Sequence, residues 1–325
     1  MYAIPFFSIQ DKNNGIKIFL ALRFAREGNN MKLSNDSVIF SFSRSNEPAV
    51  RVDVPAEVAV ETKDCFSNQL CSPEDRMEQL DWDKTNPATG PIYVNGAEAG
   101  DTLKVTVNKI KISQQGVACC LEGEGVLGHR ITGSHTKIIQ VEDGTAHFAP
   151  GIDIPVNTMI GVIGVAPEGE PVNAGTPGRH GGNMDNTMIT EGSVLYFPVA
   201  KEGALLALGD VHAVMGDGEI GVSGLEIPAE VSLTIELIKG RQYEYPVLEN
   251  NESFSVIVSK PTVDEAVIRA TELMHDFLTE RTNLPDTDVV MLMSLAGNLQ
   301  ICQVVDPEKT VRFVFPKAYM DRAEF

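Results

Sequence analysis

The sequence predicts a mainly β fold: a β-sandwich-like or barrel-like body with an α+β C-terminal portion packed on it. Three observations carry that expectation. Apolar and polar residues alternate in many short runs between residues 37 and 258. Glycine and proline punctuate those runs, as turns between strands require. Beyond residue 260 the apolar period changes from two to 3.6, the period of a helix with one buried face.

Residues 1–30 differ in character from the rest of the chain. Residues 16–24 form a short apolar patch interrupted by Lys17 and Arg23. The patch is too short to span a bilayer and lacks the small-residue cleavage site of a signal peptide. Met31-Lys32-Leu33 then reads as an ordinary beginning. Residues 1–30 are expected to be an atypical N-terminal extension and 31–325 a single domain; the alternative is an N-terminal helix docked on the body.

Within the body, Val105 and Val107, then Ile110 and Ile112, alternate with polar residues. Val231, Leu233, Ile235 and Leu237 do so more regularly, with Ser232, Thr234 and Glu236 between them. Residues 194–199 and 254–258 are further strand candidates. Asn95-Gly96, Asp143-Gly144 and Asp217-Gly218 supply turn signals. In the tail, Thr262-Val263-Asp264-Glu265 is a capping box. Ala266, Ala270, Met274 and Phe277 then lie on one helical face, which predicts a helix to about Arg281. A second helix is expected from Pro285 to Leu295, stopped by Gly297-Asn298. Leu299, Ile301, Val311, Phe313 and Phe315 return to strand alternation.

The chain has 325 residues, 43% of them hydrophobic, enough for a sizeable core. A net charge of −19 disfavours nucleic acid or an anionic membrane as partner. Cys65, Cys71, Cys119, Cys120 and Cys302 are scattered without a CxxC pair. A reduced, cytoplasmic setting fits that usage.

Chemistry concentrates in residues 178–226. Gly178-Arg179-His180-Gly181-Gly182-Asn183-Met184-Asp185 is followed by Asp210-Val211-His212-Ala213 and Gly216-Asp217-Gly218-Glu219. Glycine permits tight turns and close approach of backbone to a ligand, and imidazole and carboxylate are ligands for divalent metals. If residues 205–214 form a strand, Asp210 and His212 share one face. They can hold a metal, act as an orienting carboxylate with an imidazole base, or simply bond each other. Asp217 suits a hairpin turn. Glu219, next to apolar Ile220, is expected to point inward, where it can serve as a general base for water. His180 and Asp185 fall in a segment, 175–186, that reads as a loop, and Asp185 is either a ligand or a buried acceptor of backbone N–H groups. His129 and His135 read as surface or structural residues, and His147 and His275 as structural.

Other chemistries find little support. The chain has no Gly-x-Ser-x-Gly elbow and no P-loop. Gly123, Gly125 and Gly128 match the spacing of a dinucleotide fingerprint without its strand–helix context. Cys65 and Cys71 lack a neighbouring histidine in sequence and read as small buried hydrophobes rather than nucleophiles.

Four separated blocks resemble the acetamidase/formamidase family of small-amide hydrolases. They are residues 86–101, which open Asn86-Pro87-Ala88-Thr89-Gly90-Pro91, and the His180, Asp210 and tail (294–305) blocks. The resemblance spans roughly residues 33–320. It implies a β-sandwich and hydrolysis of formamide, acetamide or similar short amides to ammonia and a carboxylate. It also implies a divalent metal, with zinc the expected ion, and a homo-oligomer, dimer or higher. The polar residues of the matching blocks are His180, Asp185, Asp210, His212 and Glu219. Within that set Asp185, Asp210 and His212 are expected to hold the metal and Glu219 to act as base. His180 is expected as a ligand or oxyanion donor, and Asn183 as a hydrogen-bond partner for a small amide. The loops before the His180 block look shorter than in relatives, which bears on substrate choice, and a substrate of so few atoms implies a small pocket. The alternatives are a non-catalytic β-sandwich that binds a metal or small ligand, and a family member acting on another C–N compound.

Overall fold

In the computed structural model, residues 31–320 are described. The reading of residues 1–30 as an extension lies outside them. The body is built from strands, as the alternation predicts. A nine-stranded sheet runs Met31–Leu33, Ala56–Thr62, Ala229–Ile238, Thr102–Ile112, Val194–Pro198, Val247–Glu249, Ser253–Lys260, Lys309–Pro316 and Asn298–Gln303. All its pairs are antiparallel except the first. A second sheet orders Gly181–Asn183, Met159–Gly164, Leu206–His212, Ala88–Val94 and Val38–Ile39, with Val50–Val52 also pairing with Ala88–Val94.

The two sheets share one core. Val105, Val107, Leu233 and Ile235 of the first pack in the same buried cluster as Ile160, Ile163, Leu206 and Leu208 of the second. The alternation along Thr102–Ile112 skips a residue between Val107 and Ile110. The pairing explains it: Ser232 faces Lys109 and Leu233 faces Val107, so Asn108 is the extra residue of a bulge. A four-stranded sheet, Gln115–Leu121, Ser134–Glu142, Thr145–Ala149 and Ile152–Pro155, completes the body.

The tail is continuous with the body. Helix α1 (Val263–Thr279) starts at the expected capping box, with Glu265 N donating to Thr262 Oγ1 and Thr262 N donating back to Glu265 Oε2. It buries Ala266, Ala270, Met274, Phe277 and Leu278 against Val256, Val258, Val311 and Phe313. Helix α2 (Asp286–Ala296) follows. The last two strands extend the nine-stranded sheet, so the tail shares the body's hydrogen-bonding network. Among the described residues no helix is long and apolar enough to cross a membrane.

Segment 175–186, expected as a loop, differs. Gly181–Asn183 is a buried edge strand paired with Met159–Gly164. The two glycines make this possible. Both have positive φ, and a Cβ on Gly181 would sit 2.3 Å from the carbonyl oxygen of Ile163 and one on Gly182 2.5 Å from that of Thr176. A glycine-rich polar segment can enter a core when the backbone itself is what packs.

Candidate active site

The site grows from the end of one strand. Leu206–His212 carries Asp210 and His212 at its C-terminal end, both buried. Their side chains meet, with His212 Nε2 3.4 Å from Asp210 Oδ1. Asp185 follows the edge strand Gly181–Asn183 by two residues, and its Oδ1 lies 3.8 Å from the same nitrogen. Gly161, on the strand between them, leaves the room. A Cβ there would lie 2.4 Å from Asp185 Oδ1 and 2.7 Å from Asp210 Oδ2.

Glu219 arrives by a different route. Asp217-Gly218 does not close a hairpin. The turn of residues 216–219 docks on the tail: Gly218 N donates to Cys302 O at 2.8 Å, and Gly218 bridges Gln303 in parallel. Asp217 pairs with the buried guanidinium of Arg312, which also donates to Asn186 Oδ1 at 2.7 Å. That arrangement points Glu219 inward, as expected. A carboxylate oxygen of Glu219, one of Asp185 and a ring nitrogen of His212 all lie within 4.8 Å of one another.

Asp185, Asp210 and Glu219 all have left-handed backbones, at φ +40, +53 and +47. Such conformations cost an L-residue about 1–3 kcal/mol each and persist only where surrounding structure holds them, often at functional sites.

Two further acids complete the cluster. Glu226 bridges Val117 and His212 through its backbone, and its Oε2 lies 3.1 Å from His212 Nε2. Asp306, in the turn after strand Asn298–Gln303, accepts from Asn183 Nδ2 at 3.0 Å. Sequence reasoning missed both. Glu226 sits between Leu225 and Ile227, and a single carboxylate in an apolar run is the one signal it gives; Asp306 falls one residue beyond the recognised tail block.

The electrostatics follow from burying several carboxylates around one imidazole. Burial pushes Glu219 up to about 8 and Glu226 to about 7. Burial, with repulsion from neighbouring acids, holds Asp185 and Asp306 well above the usual carboxylate range. Burial alone would lower His212, but Glu226 and Asp210 outweigh it and hold the imidazole well above its ordinary value. The same attraction outweighs burial at Asp210 and lowers it. Asp185 Oδ1 and Glu226 Oε2 are buried without a hydrogen bond. A set of buried, mutually repelling oxygen donors around one imidazole nitrogen is a place where a cation is stabilised.

Asn183, Asp210, Glu219, Glu226 and Asp306 line a cavity of about 450 Å³. Its wall includes Phe66, Met77, Leu121 and Val222, with half-exposed Trp82 among the lining residues. The cavity is larger than a substrate of a few heavy atoms requires.

The structure does not bring His180 to this cluster. Its ring lies edge-on to Phe42, with centroids 5.1 Å apart, and lines a separate cavity of about 690 Å³. Burial alone lowers it to about 4, with no carboxylate contributing. Glycine conformations at 181 and 182 turn the chain between His180 and Asp185, so closeness in sequence is not convergence in space. Elsewhere, His129, His135 and His147 are exposed, and His147 pairs with Asp153 at 2.8 Å.

The comparisons agree with this architecture. The model of the Acetamidase/Formamidase family matches residues 42–176 and 170–268. An acetamidase of Mycolicibacterium smegmatis is 26% identical over 268 residues, covering 62% of this chain and 66%, just under two thirds, of that relative. Two crystal structures superpose closely. A predicted acetamidase/formamidase from Thermoanaerobacter tengcongensis gives a TM-score of 0.87 at 49% identity, covering 89% of this chain and 97% of the other. An acetamidase from Bacillus halodurans gives 0.87 at 43%, covering 89% and 98%. With the family model matching residues 42–176 and 170–268 and a 49% identical structure covering 89% of the chain, this chain belongs to the acetamidase/formamidase family.

Proposed function

We propose that the chain hydrolyses short linear amides, formamide and acetamide among them, to ammonia and the carboxylate at a centre that needs a divalent cation. The observation that carries this reading is the convergence of Asp185, Asp210, His212 and Glu219 beside a cavity that Asp210 and Glu219 line. The residues fit a cation: Asp185 Oδ1 is buried and unbonded, and the donors are carboxylate oxygens and one imidazole nitrogen. Asp185, Asp210 and His212 would hold it, and that donor set suits zinc among other ions.

When bound, the cation supplies positive charge that polarises the amide carbonyl and makes water more acidic. The chain's residues do the rest. Glu219 takes a proton from the attacking water at its carboxylate and passes it to the departing nitrogen, so that water and amide become ammonia and the acid. Asp210 and Asp185 lie beside Nε2 of His212 and would share the cation with it. Asn183 donates to Asp306 and leaves its Oδ1 buried without a partner, ready to accept an N–H of the substrate amide. His180, in its separate cavity, has no part in this scheme.

The cavity favours a second reading of the substrate. An apolar cavity of about 150 Å³ suffices for benzene, and this one is about 450 Å³ with a wall that is part polar and part apolar. Formamide and acetamide leave much of that space unused. An amide with a longer acyl chain or an N-substituent fits the same chemistry and fills it. The test is ammonia or amine release by the purified chain across a panel from formamide to longer and N-alkyl amides. Turnover of any member supports amide hydrolysis, and the best kcat/KM identifies the size class. No release from any member, with metal added, leaves the non-catalytic binding protein and the family member acting on another C–N compound.

A further inference from the structure

We propose that the acidic cluster takes a second divalent cation beside the first, held by Cys65, Glu226 and a shared Asp210. This rests on the reading that Asp185, Asp210 and His212 hold one cation. The sulfur of Cys65 and a carboxylate oxygen from each of Asp210 and Glu226 lie within 4.8 Å of one another, and all three residues are buried. This trio shares no residue with the neighbouring group of Asp185, His212 and Glu219. Asp210 joins them, because its Oδ1 is 3.4 Å from His212 Nε2.

Glu226 supplies an independent sign of a missing ligand. Its Oε1 accepts from Gly224 N at 2.9 Å. Its Oε2, fully buried, makes no aligned hydrogen bond, although His212 Nε2 is 3.1 Å away. Once the lone pair of Nε2 serves one cation, that nitrogen has no proton to offer Glu226 or Asp210. Two buried carboxylates then face a thiol with no positive partner, an arrangement that costs stability unless a charge compensates it. A second cation does so.

The fold holds this trio in place. Asp64 Oδ1 accepts from Phe66 N at 3.0 Å and Asn68 N at 2.7 Å, and Asn86 N donates to the carbonyl of Cys65 at 2.7 Å. The turn carrying the thiol is thus fixed on both sides. Glu226 exchanges two backbone hydrogen bonds of 2.9 Å with Val117. A thiolate with two carboxylates selects a thiophilic ion such as zinc over magnesium or calcium. Binding replaces the thiol proton, which leaves to solvent as the sulfur–metal bond forms. Paired cations about 3.5–4 Å apart can stabilise both the attacking and the departing atom of a displacement.

Cobalt(II) is the probe, loaded anaerobically into the metal-stripped full chain, with cobalt counted per chain and the near-ultraviolet spectrum recorded. Two cobalt ions per chain and a thiolate-to-cobalt charge-transfer band are expected. Cys65→Ser is expected to lose the band and one ion while keeping the other, and Cys65→Ala to do the same should the serine variant misfold. One ion without a band in the unaltered chain overturns the second site and leaves the first standing. A band with only one ion, or a band that survives in Cys65→Ser, also overturns it. No bound cobalt overturns the first reading together with this one.

Discussion

Asp185, Asp210 and Glu219 are held in left-handed backbone conformations that a carboxylate gains nothing from by itself. The roles proposed for them separate by experiment. His212→Ala removes the one nitrogen donor and is expected to lose metal and activity together. Glu219→Gln keeps size and shape and is expected to keep metal while losing on the order of 10²–10⁴ in rate, the usual contribution of general acid–base catalysis. Metal content and rate on the same purified variant decide the matter: loss of metal in Glu219→Gln makes Glu219 a ligand, and a near-normal rate makes it structural. Gly161 tests the packing of the site. An added methyl would lie 2.4 Å from Asp185 Oδ1, so Gly161→Ala is expected to lower stability by about 1–3 kcal/mol, as overpacking does, and to reduce bound metal. Unchanged melting and unchanged metal content would show that the carboxylates do not depend on that gap.

At the scale of elements, the site depends on a docking that joins the middle of the chain to its end. The turn holding Glu219 rests on strand Asn298–Gln303, and Arg312 ties Asp217, Asn186 and Gln300 together. Asp217→Asn weakens a charge-assisted bond at a partly exposed carboxylate and is expected to cost about 1 kcal/mol, with a fall in kcat as Glu219 loosens. A variant with wild-type melting and wild-type kcat would mean that the turn holds itself. This docking marks the limit of what sequence alone conveys. The α1 capping box and the alternation along residues 231–237 are local signals, and both appear where the pattern puts them. Asp210 and His212 were legible because a two-residue spacing on a strand fixes a shared face. Glu226 and Asp306 were not, because they join the site through pairings with Val117 and Asn183, 109 and 123 residues away by numbering. The inward strand of Gly181 and Gly182 escaped for a related reason: composition signals polarity, while the packing there is between backbones.

For the whole molecule, two sheets share a core and the tail closes the site, so the described residues act as one body. The family match begins at residue 42, and strand Met31–Leu33 pairs with Ala56–Thr62. We propose that residues 1–30 are an extension dispensable for activity. A chain beginning at Met31 is expected to keep its melting temperature and amide hydrolysis, and a large loss of either assigns the first thirty residues to the working protein.

The central claim is that the buried cluster around His212 hydrolyses amides only with a cation in it. The direct measurement is amide turnover on one preparation as purified, after prolonged chelation, and after return of zinc, with metal content determined at each stage. The account predicts that turnover falls with metal content and returns with zinc, while the folded state persists throughout. Full turnover by protein shown to be free of metal would contradict it.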